Sequence, residues 1–340
     1  MSVNVVVVGA GLIGCERISA IKKIEKLTNG GVSLLAVVDP NLDESKSAAL
    51  EKKFEINITK DIDLVLNKKP EWVFICTPHD VAMSLIKKSF DAGANVLVEK
   101  PLGRSLKECQ EIIKYKPDNC KLHVGFNYRF FAGVEQAIKD CKDKKFGKLI
   151  SVNLTLGHGN SPGMEKSWKL DLDKCGGGCL IDPGVHLLDL ILELSYGELK
   201  VDKVKSWSGF WNTGIEEEVH ALMSDEFGTI FNMQVSLNKW RSSFKLEING
   251  TEGYGVVEGR GRSYGPQSYK TGLRWGWKND SGKSQSESEN IIIQNDSCED
   301  SFFKETMAVL DQGSYMTSPS NEIESKQVMA LLDICYDNLK

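Results

Sequence analysis

The residues of this chain that could do chemistry fall into three groups. The first is the glycine triplet Gly9-Ala10-Gly11-Leu12-Ile13-Gly14, which follows an apolar run and opens a helical stretch. Gly9 would make a tight turn, Gly11 would let the backbone approach a pyrophosphate, and Gly14 would let helix and strand pack closely. Leu12 and Ile13 lie where the first helical N–H groups and the positive end of the helix dipole meet the phosphates. Asp39 ends the next apolar run, 25 positions after Gly14. A carboxylate there can accept hydrogen bonds from an adenosine ribose and would repel a 2'-phosphate, and no arginine follows closely, so NAD is expected over NADP. Asp39-Pro40 is also a good turn start, and the two roles are compatible.

The second group gathers where further strands end. Thr77-Pro78, with His79 directly after, closes one apolar run, and Glu99-Lys100-Pro101 closes the next. Ligands of doubly wound sheets collect beyond the carboxyl ends of the strands, so Thr77, Pro78, His79, Glu99 and Lys100 are candidate cofactor contacts. The proline after Lys100 favours an extended lysine there. The third group is Gly176-Gly177-Gly178-Cys179-Leu180-Ile181-Asp182-Pro183-Gly184-Val185-His186. Asp182 reads as a helix N-cap with Pro183 at the first helical position, which would place His186, four residues on, on the same side as Asp182. A metal held by Cys179, Asp182 and His186 lacks an evident further ligand and is not expected, and Cys175 and Cys179 have no second pair at zinc-finger spacing.

These groups need elements to position them. Residues 3 to 8 are a continuous apolar run, as in a parallel strand covered on both faces, and strands and helices alternate from there to about residue 125. That alternation predicts an N-terminal doubly wound parallel sheet, a Rossmann domain over 1–125. Beyond Lys148 the pattern changes to period-two alternation, as in Ile230/Asn232/Gln234 against Phe231/Met233/Val235 and again at Phe244, Leu246 and Ile248. This predicts a C-terminal α+β domain over 126–340, built on a largely antiparallel open sheet, with terminal helices able to pack back on the first domain. Residues 259–290 show no sustained period and read as a long loop or irregular hairpin.

Composition excludes several classes. The 340 residues are 41% hydrophobic and 26% charged, ordinary for two packed domains, and a formal charge of -5 gives no global basic field for nucleic acid. No apolar run approaches the length of a membrane helix, so neither a membrane nor a secretory route is expected and the chain is placed in the cytoplasm. The nine cysteines are odd in number and several sit in apolar segments, as reduced thiols would.

In combination, Gly9/Gly11/Gly14, Thr77-Pro78, Glu99-Lys100-Pro101, Gly125-Phe126-Asn127-Tyr128-Arg129 and Asp182-Pro183-Gly184-Val185-His186 resemble the glucose-fructose oxidoreductase and inositol dehydrogenase family, Gfo/Idh/MocA, nearly end to end. The resemblance implies hydride transfer between NAD(P) and a hydroxyl-bearing carbon of a sugar, polyol or sugar derivative, nucleotide sugars included. It implies catalytic positions at Lys100, Asp182 and His186, which with Asn127, Tyr128 and Arg129 would also contact substrate. It further implies homo-oligomers, dimers or tetramers, packed through the C-terminal sheet. One departure is visible: relatives often carry histidine a few residues after Thr-Pro, whereas here His79 is adjacent and Ala82 stands further on.

A general base taking the hydroxyl proton, His186 or Lys100, would complete the reaction, with Asp182 orienting its neighbours. Two other readings stay open. One is a glycoside hydrolase that oxidises and re-reduces its substrate on tightly held NAD; the other is a non-catalytic dinucleotide sensor. Residues 260–283 carry Arg260, Arg262, Lys270, Arg274, Lys278 and Lys283 against Asp280, a balance suited to an anionic substrate or to a solvated or oligomer-facing loop.

Overall fold

A computed structural model describes residues 2–273, 292–294, 297–313 and 315–339. Two compact units emerge: Met1–Asn127 with Asp173–Gly176 and Phe302–Met329, and Tyr128–Leu172 with Gly177–Ser301 and Ala330–Lys340.

The first unit begins β1 (Val3–Val8), α1 (Leu12–Leu27), β2 (Val32–Val38), α2 (Glu44–Phe54), β3 (Ile58–Thr59), α3 (Ile62–Leu66) and β4 (Trp72–Ile75). It continues with α4 (His79–Asp91), β5 (Asn95–Glu99), α5 (Leu106–Tyr115) and β6 (Leu122–Gly125). Val5 to Val8 are at most 2% exposed, as a central parallel strand shielded on both faces requires. Their sheet has the order β15-β6-β5-β4-β1-β2-β3, where β15 (Ser320–Asn321) comes from near the end of the chain. Every pairing in it is parallel except β15 with β6. Ile18, Ile21 and Ile24 of α1 share a core with Val5 and Val7 of β1, Leu34 and Val37 of β2, and the late residues Val309 and Leu310.

The second unit is built on an eight-stranded sheet, flanked by α6 (Ala132–Lys142) and α8 (Val185–Leu194); a short α7 (Leu172–Cys175) lies between them in the chain. Its strands are β7 (Leu149–Gly157), β8 (Leu199–Trp207), β9 (Glu218–Asp225), β10 (Ile230–Ser236), β11 (Ser243–Gly250), β12 (Gly253–Glu258), β13 (Gln267–Leu273) and β14 (Ile292–Gln294). The order is β14-β13-β12-β11-β7-β10-β9-β8, antiparallel throughout apart from β7 with β10. Phe231, Met233 and Val235 are buried while Ile230 and Asn232 are exposed, so the period-two rhythm does mark a one-sided sheet. The chain ends with α9 (Ser297–Val309) and α10 (Glu322–Asp337).

One expectation is narrowed and another corrected. Within 259–290, expected as a long loop or irregular hairpin, residues 267–273 form β13, which pairs antiparallel with β12, so the hairpin alternative holds there; its buried positions include Gln267, Tyr269 and Thr271, two of them polar without a hydrophobic signal. The helix at the third motif starts at Val185 with Gly184 as N-cap and no side-chain cap, so Asp182 is not the cap and Pro183 is not its first turn. The chain from Cys179 to Gly184 is instead wound in tight turns, with Asp182 N–H donating to the Gly178 carbonyl and Gly184 N–H to that of Cys179.

Candidate functional site

In the first unit the glycine triplet forms a cradle whose three positions differ physically. Gly9 has φ +95°, and a Cβ there would meet the Cys76 carbonyl oxygen at 2.5 Å; one on Gly14 would meet the Gly9 carbonyl oxygen at 1.9 Å. Neither position tolerates a side chain. Gly11 is the opposite case: a Cβ there would meet nothing within 4 Å, and Leu12 beside it is 70% exposed. The backbone at Gly11 is therefore open to a ligand.

Helix α1 leaves its N-terminus available. Helices α2, α3 and α5 are capped by the side chains of Asp43, Asp61 and Ser105, whereas α1 begins at Gly11 without a side-chain cap and without an acid in its first turn. Free N–H groups and an uncompensated dipole are what phosphates bind. Asp39 is aimed at the same loop, since one carboxylate oxygen accepts the Ala10 N–H at 2.8 Å and the other accepts the Asn41 N–H at 3.0 Å. It is thus a turn residue and a member of the cradle at once. These residues fit a dinucleotide.

At the ends of β4 and β5 the candidates divide. Thr77 and Pro78 follow β4 closely, and His79, 6% exposed, opens α4 with Nδ1 at 2.9 Å from the Cys175 carbonyl. Glu99 is held from the protein side: Arg17 of α1, fully buried, places Nε and Nη2 each 2.8 Å from Glu99 Oε1. Nη2 also lies 2.5 Å from Glu305 and Nη1 donates to Thr306 at 3.2 Å. Burial opposes the charge on Arg17, but Glu305 and Glu99 outweigh it and raise the pKa above the ordinary arginine value. Lys100 stands one residue beyond the strand end that this ion-pair network fixes.

Arg17 escapes prediction from the sequence motifs. A signal for it is present, because Arg17 falls on the same helical stripe as Gly14, Ile18, Ile21 and Ile24, where a charge must be buried and paired.

In the second unit His186 and Asp182 are both buried, at 5% and 8% exposure. The His186 imidazole lies flat on the Tyr128 ring, centroids 3.9 Å apart and planes 11° from parallel. Tyr128 is packed edge-on against Phe244, and the guanidinium of Arg260 sits 5.3 Å from its ring and 3.8 Å from that of Tyr264. Asp182 is paired with Lys169 at 2.9 Å, a partner that no sequence pattern announced.

Arg129, expected at the substrate, has a guanidinium committed to the protein. Nε and Nη2 bind the two oxygens of Asp189 at 2.8 and 2.5 Å, and Nη1 lies 3.1 Å from Glu193. That fork ties the segment carrying Tyr128 to α8, the helix carrying His186. Asn127, 4% exposed, belongs to the first unit. Of the basic residues at 260–283, Arg260, Arg262 and Lys270 are described, and Arg274, Lys278 and Lys283 lie outside the described residues. Among the described residues no group of three or more His, Cys, Asp or Glu could hold a metal ion, and no helix is long and apolar enough to cross a membrane.

A parallel sheet with a glycine cradle at its first turn, followed by a second, mostly antiparallel unit, defines a two-unit dinucleotide-binding protein. Residues 3–126 match the family model described as an oxidoreductase family with an NAD-binding Rossmann fold, and residues 134–255 match the GFO/IDH/MocA C-terminal domain; the chain belongs to the Gfo/Idh/MocA family. It is 24% identical over 268 residues, 74% of this chain and 66% of the relative, to a 2,7-anhydro-N-acetylneuraminate hydratase of Mediterraneibacter gnavus. It is 30% identical over 155 residues, 45% of this chain and 43% of the relative, to an inositol 2-dehydrogenase/D-chiro-inositol 3-dehydrogenase of Halalkalibacterium halodurans. In fold it is similar to a levoglucosan dehydrogenase solved with NADH and levoglucosan, with TM-score 0.81 and 19% identity over 100% of this chain and 97% of that one.

Proposed function

We propose that this protein is an NAD-dependent oxidoreductase acting on a hydroxyl-bearing carbon of a sugar, a cyclic polyol or a derivative of one. The observation that carries the reading is the cradle at Gly9, Gly11 and Gly14, open only at Gly11 and flanked by an uncapped helix N-terminus and by Asp39. NAD held there supplies the hydride acceptor. The chain supplies the rest. Gly11, Leu12 and Ile13 offer backbone N–H groups to the phosphates, and Asp39 accepts the adenosine ribose hydroxyls, which makes a 2'-phosphate unwelcome. Thr77, Pro78 and His79 stand at the strand end where the nicotinamide half would lie. Lys100 or His186 takes the substrate hydroxyl proton. Tyr128 restrains the His186 ring by stacking, and Asp182 orients its neighbours while Lys169 balances its charge.

The named relatives act on, or were solved with, ring compounds rich in hydroxyl or ether oxygens, one of them a sialic acid derivative, which supports a cyclic sugar or polyol substrate. Arg260, set over Tyr128 and Tyr264, supports an acid group on that substrate. Among the outward strand positions of the second sheet, Leu222 and Ile230 are exposed apolar residues, which supports a homo-oligomer packed through that face.

The deciding experiment presents the purified protein with NAD and a panel of sugars, inositols, sugar acids and nucleotide sugars while NADH absorbance is followed. Net NADH with one class is expected, with NAD favoured over NADP in a parallel titration. Product formed without net NADH would instead indicate transient oxidation, and equal NADP binding would remove the role given to Asp39.

A further inference from the structure

The glycines ahead of the Asp182–His186 segment pack against two residues remote in sequence, Glu216 and Tyr336. Glu216, two residues before β9, points one carboxylate oxygen, Oε1, at the turn, where it accepts the Gly178 N–H at 2.9 Å and the Leu180 N–H at 3.1 Å. The hydroxyl of Tyr336 in α10 donates to the same oxygen at 2.9 Å. The backbone carbonyl of Glu216 accepts the intervening N–H, that of Cys179, at 2.8 Å. One residue thus takes three consecutive amides.

The fit leaves no room for side chains on the glycines. A Cβ on Gly178 would stand 2.0 Å from the Glu216 carbonyl oxygen, and one on Gly177 would stand 2.0 Å from the Tyr336 hydroxyl. Two residues further on, the same turn delivers Asp182, whose N–H donates to the Gly178 carbonyl, and then His186.

We propose that Glu216 is a positioning residue for the reaction, fixing the backbone at 178–180 and through it the segment that carries Asp182 and His186. The proposal rests on the reading that His186 and Asp182 serve the substrate. Burying a carboxylate against neutral N–H and O–H donors is costly unless each lone pair is used, and here three donors converge on one oxygen. Burial pushes the Glu216 carboxyl up, with hydrogen bonds from Tyr336, Leu180 and Gly178 opposing that. A buried polar group is therefore placed where the turn is anchored, with three donors on its Oε1, which a loop of no consequence would not need.

The test compares Glu216→Ala, Glu216→Asp and Glu216→Gln in the full chain by hydrogen exchange of the peptides spanning 178–184, by turnover on the substrate found in the panel, and by NAD titration. Glu216→Asp keeps the carboxyl group but withdraws the oxygen from the amides, and it guards against an alanine variant that does not fold. Alanine and aspartate should speed exchange at 178–180 about tenfold and lower kcat about 100-fold, as a displacement near 1 Å would, with NAD affinity unchanged. Glutamine, which keeps an acceptor at the Oε1 position, should restore most of both. Unchanged exchange in the aspartate variant, or faster exchange with wild-type kcat, overturns the proposal. If His186→Ala itself retained turnover, the functional reading would fail instead, and the exchange data would still show whether Glu216 anchors the turn.

Discussion

At the scale of the residue, Lys100, His186 and Arg17 make different demands on experiment. Lys100→Ala and His186→Ala are each expected to leave a folded protein that binds NAD but turns over at least ~100-fold more slowly, the lower range for losing a general acid or base. Near wild-type turnover in both would remove these residues from the chemistry while leaving the cradle intact. Arg17 should behave in the reverse way. Its guanidinium is fully buried between Glu99 and Glu305, so Arg17→Met would leave two carboxylates facing one another in the protein interior. Breaking a buried pair by removing one partner costs about 3–5 kcal/mol, which urea unfolding would record as a lower midpoint at unchanged slope. A loss below about 1 kcal/mol, the range of an exposed pair, would show that the network carries no such weight.

At the scale of the element, the glycine turn between β1 and α1 allows a sharper contrast. Gly11→Ala should fold with unchanged stability, because its new methyl meets nothing within 4 Å, yet it should weaken NAD binding by crowding the phosphates. Gly14→Ala should lose stability first, because its methyl would stand 1.9 Å from the Gly9 carbonyl oxygen. Thermal melting with and without NAD separates the two, and matching losses of stability would contradict the distinction. The same turn is fully legible in the sequence, since period, glycine spacing and a closing acid are all local. Less local features are not. The turns from Cys179 to Gly184 pass for a capped helix start, because Asp182 has the composition of a cap but its carboxylate goes to Lys169, thirteen positions earlier in the chain. Strand β13 is hidden for a related reason: Tyr269 is buried by donating to Asp140 at 2.6 Å, and a polar partner leaves no hydrophobic rhythm to read. Glu216 and Glu217 look like part of a solvated acidic run, Glu216 to Glu218. Glu217, however, is fully buried and accepts the N–H groups of Gly209, Phe210 and Trp211, and its spacing matches the inward parity of Val219, Ala221 and Met223.

At the scale of the whole molecule, stability should depend on acid in a way that the Asp140 cluster makes visible. Burial pushes the Asp140 carboxyl up, but hydrogen bonds from Lys145, Tyr269 and Gln136 outweigh it and hold the pKa below the ordinary 3.8. A carboxyl whose folded value is depressed contributes stability above its unfolded value and loses it as pH falls through the folded one. The difference in unfolding free energy between wild type and Asp140→Asn should therefore be largest above about pH 4 and shrink below it. A constant difference from neutral pH to the acid limit would mean that the cluster acts through shape alone. The order of the chain through the two units has a further consequence, for the protein's manufacture. Helix α9 and strand β15 bring Glu305, Thr306, Val309 and the edge pairing of β6 to the first unit from residues 302–329, which a ribosome supplies only after the second sheet. A nascent chain that has not yet reached Phe302 carries Arg17 without Glu305 and a sheet edge at β6 without its partner, so the cofactor-binding unit, though begun first, cannot be completed until the second sheet has been made. Until then the inward face of α1, with Ile18, Ile21 and Ile24 around Arg17, lacks Val309, Leu310 and Glu305, and the β6 edge stands open, the kind of incompletely buried surface from which nascent chains associate wrongly.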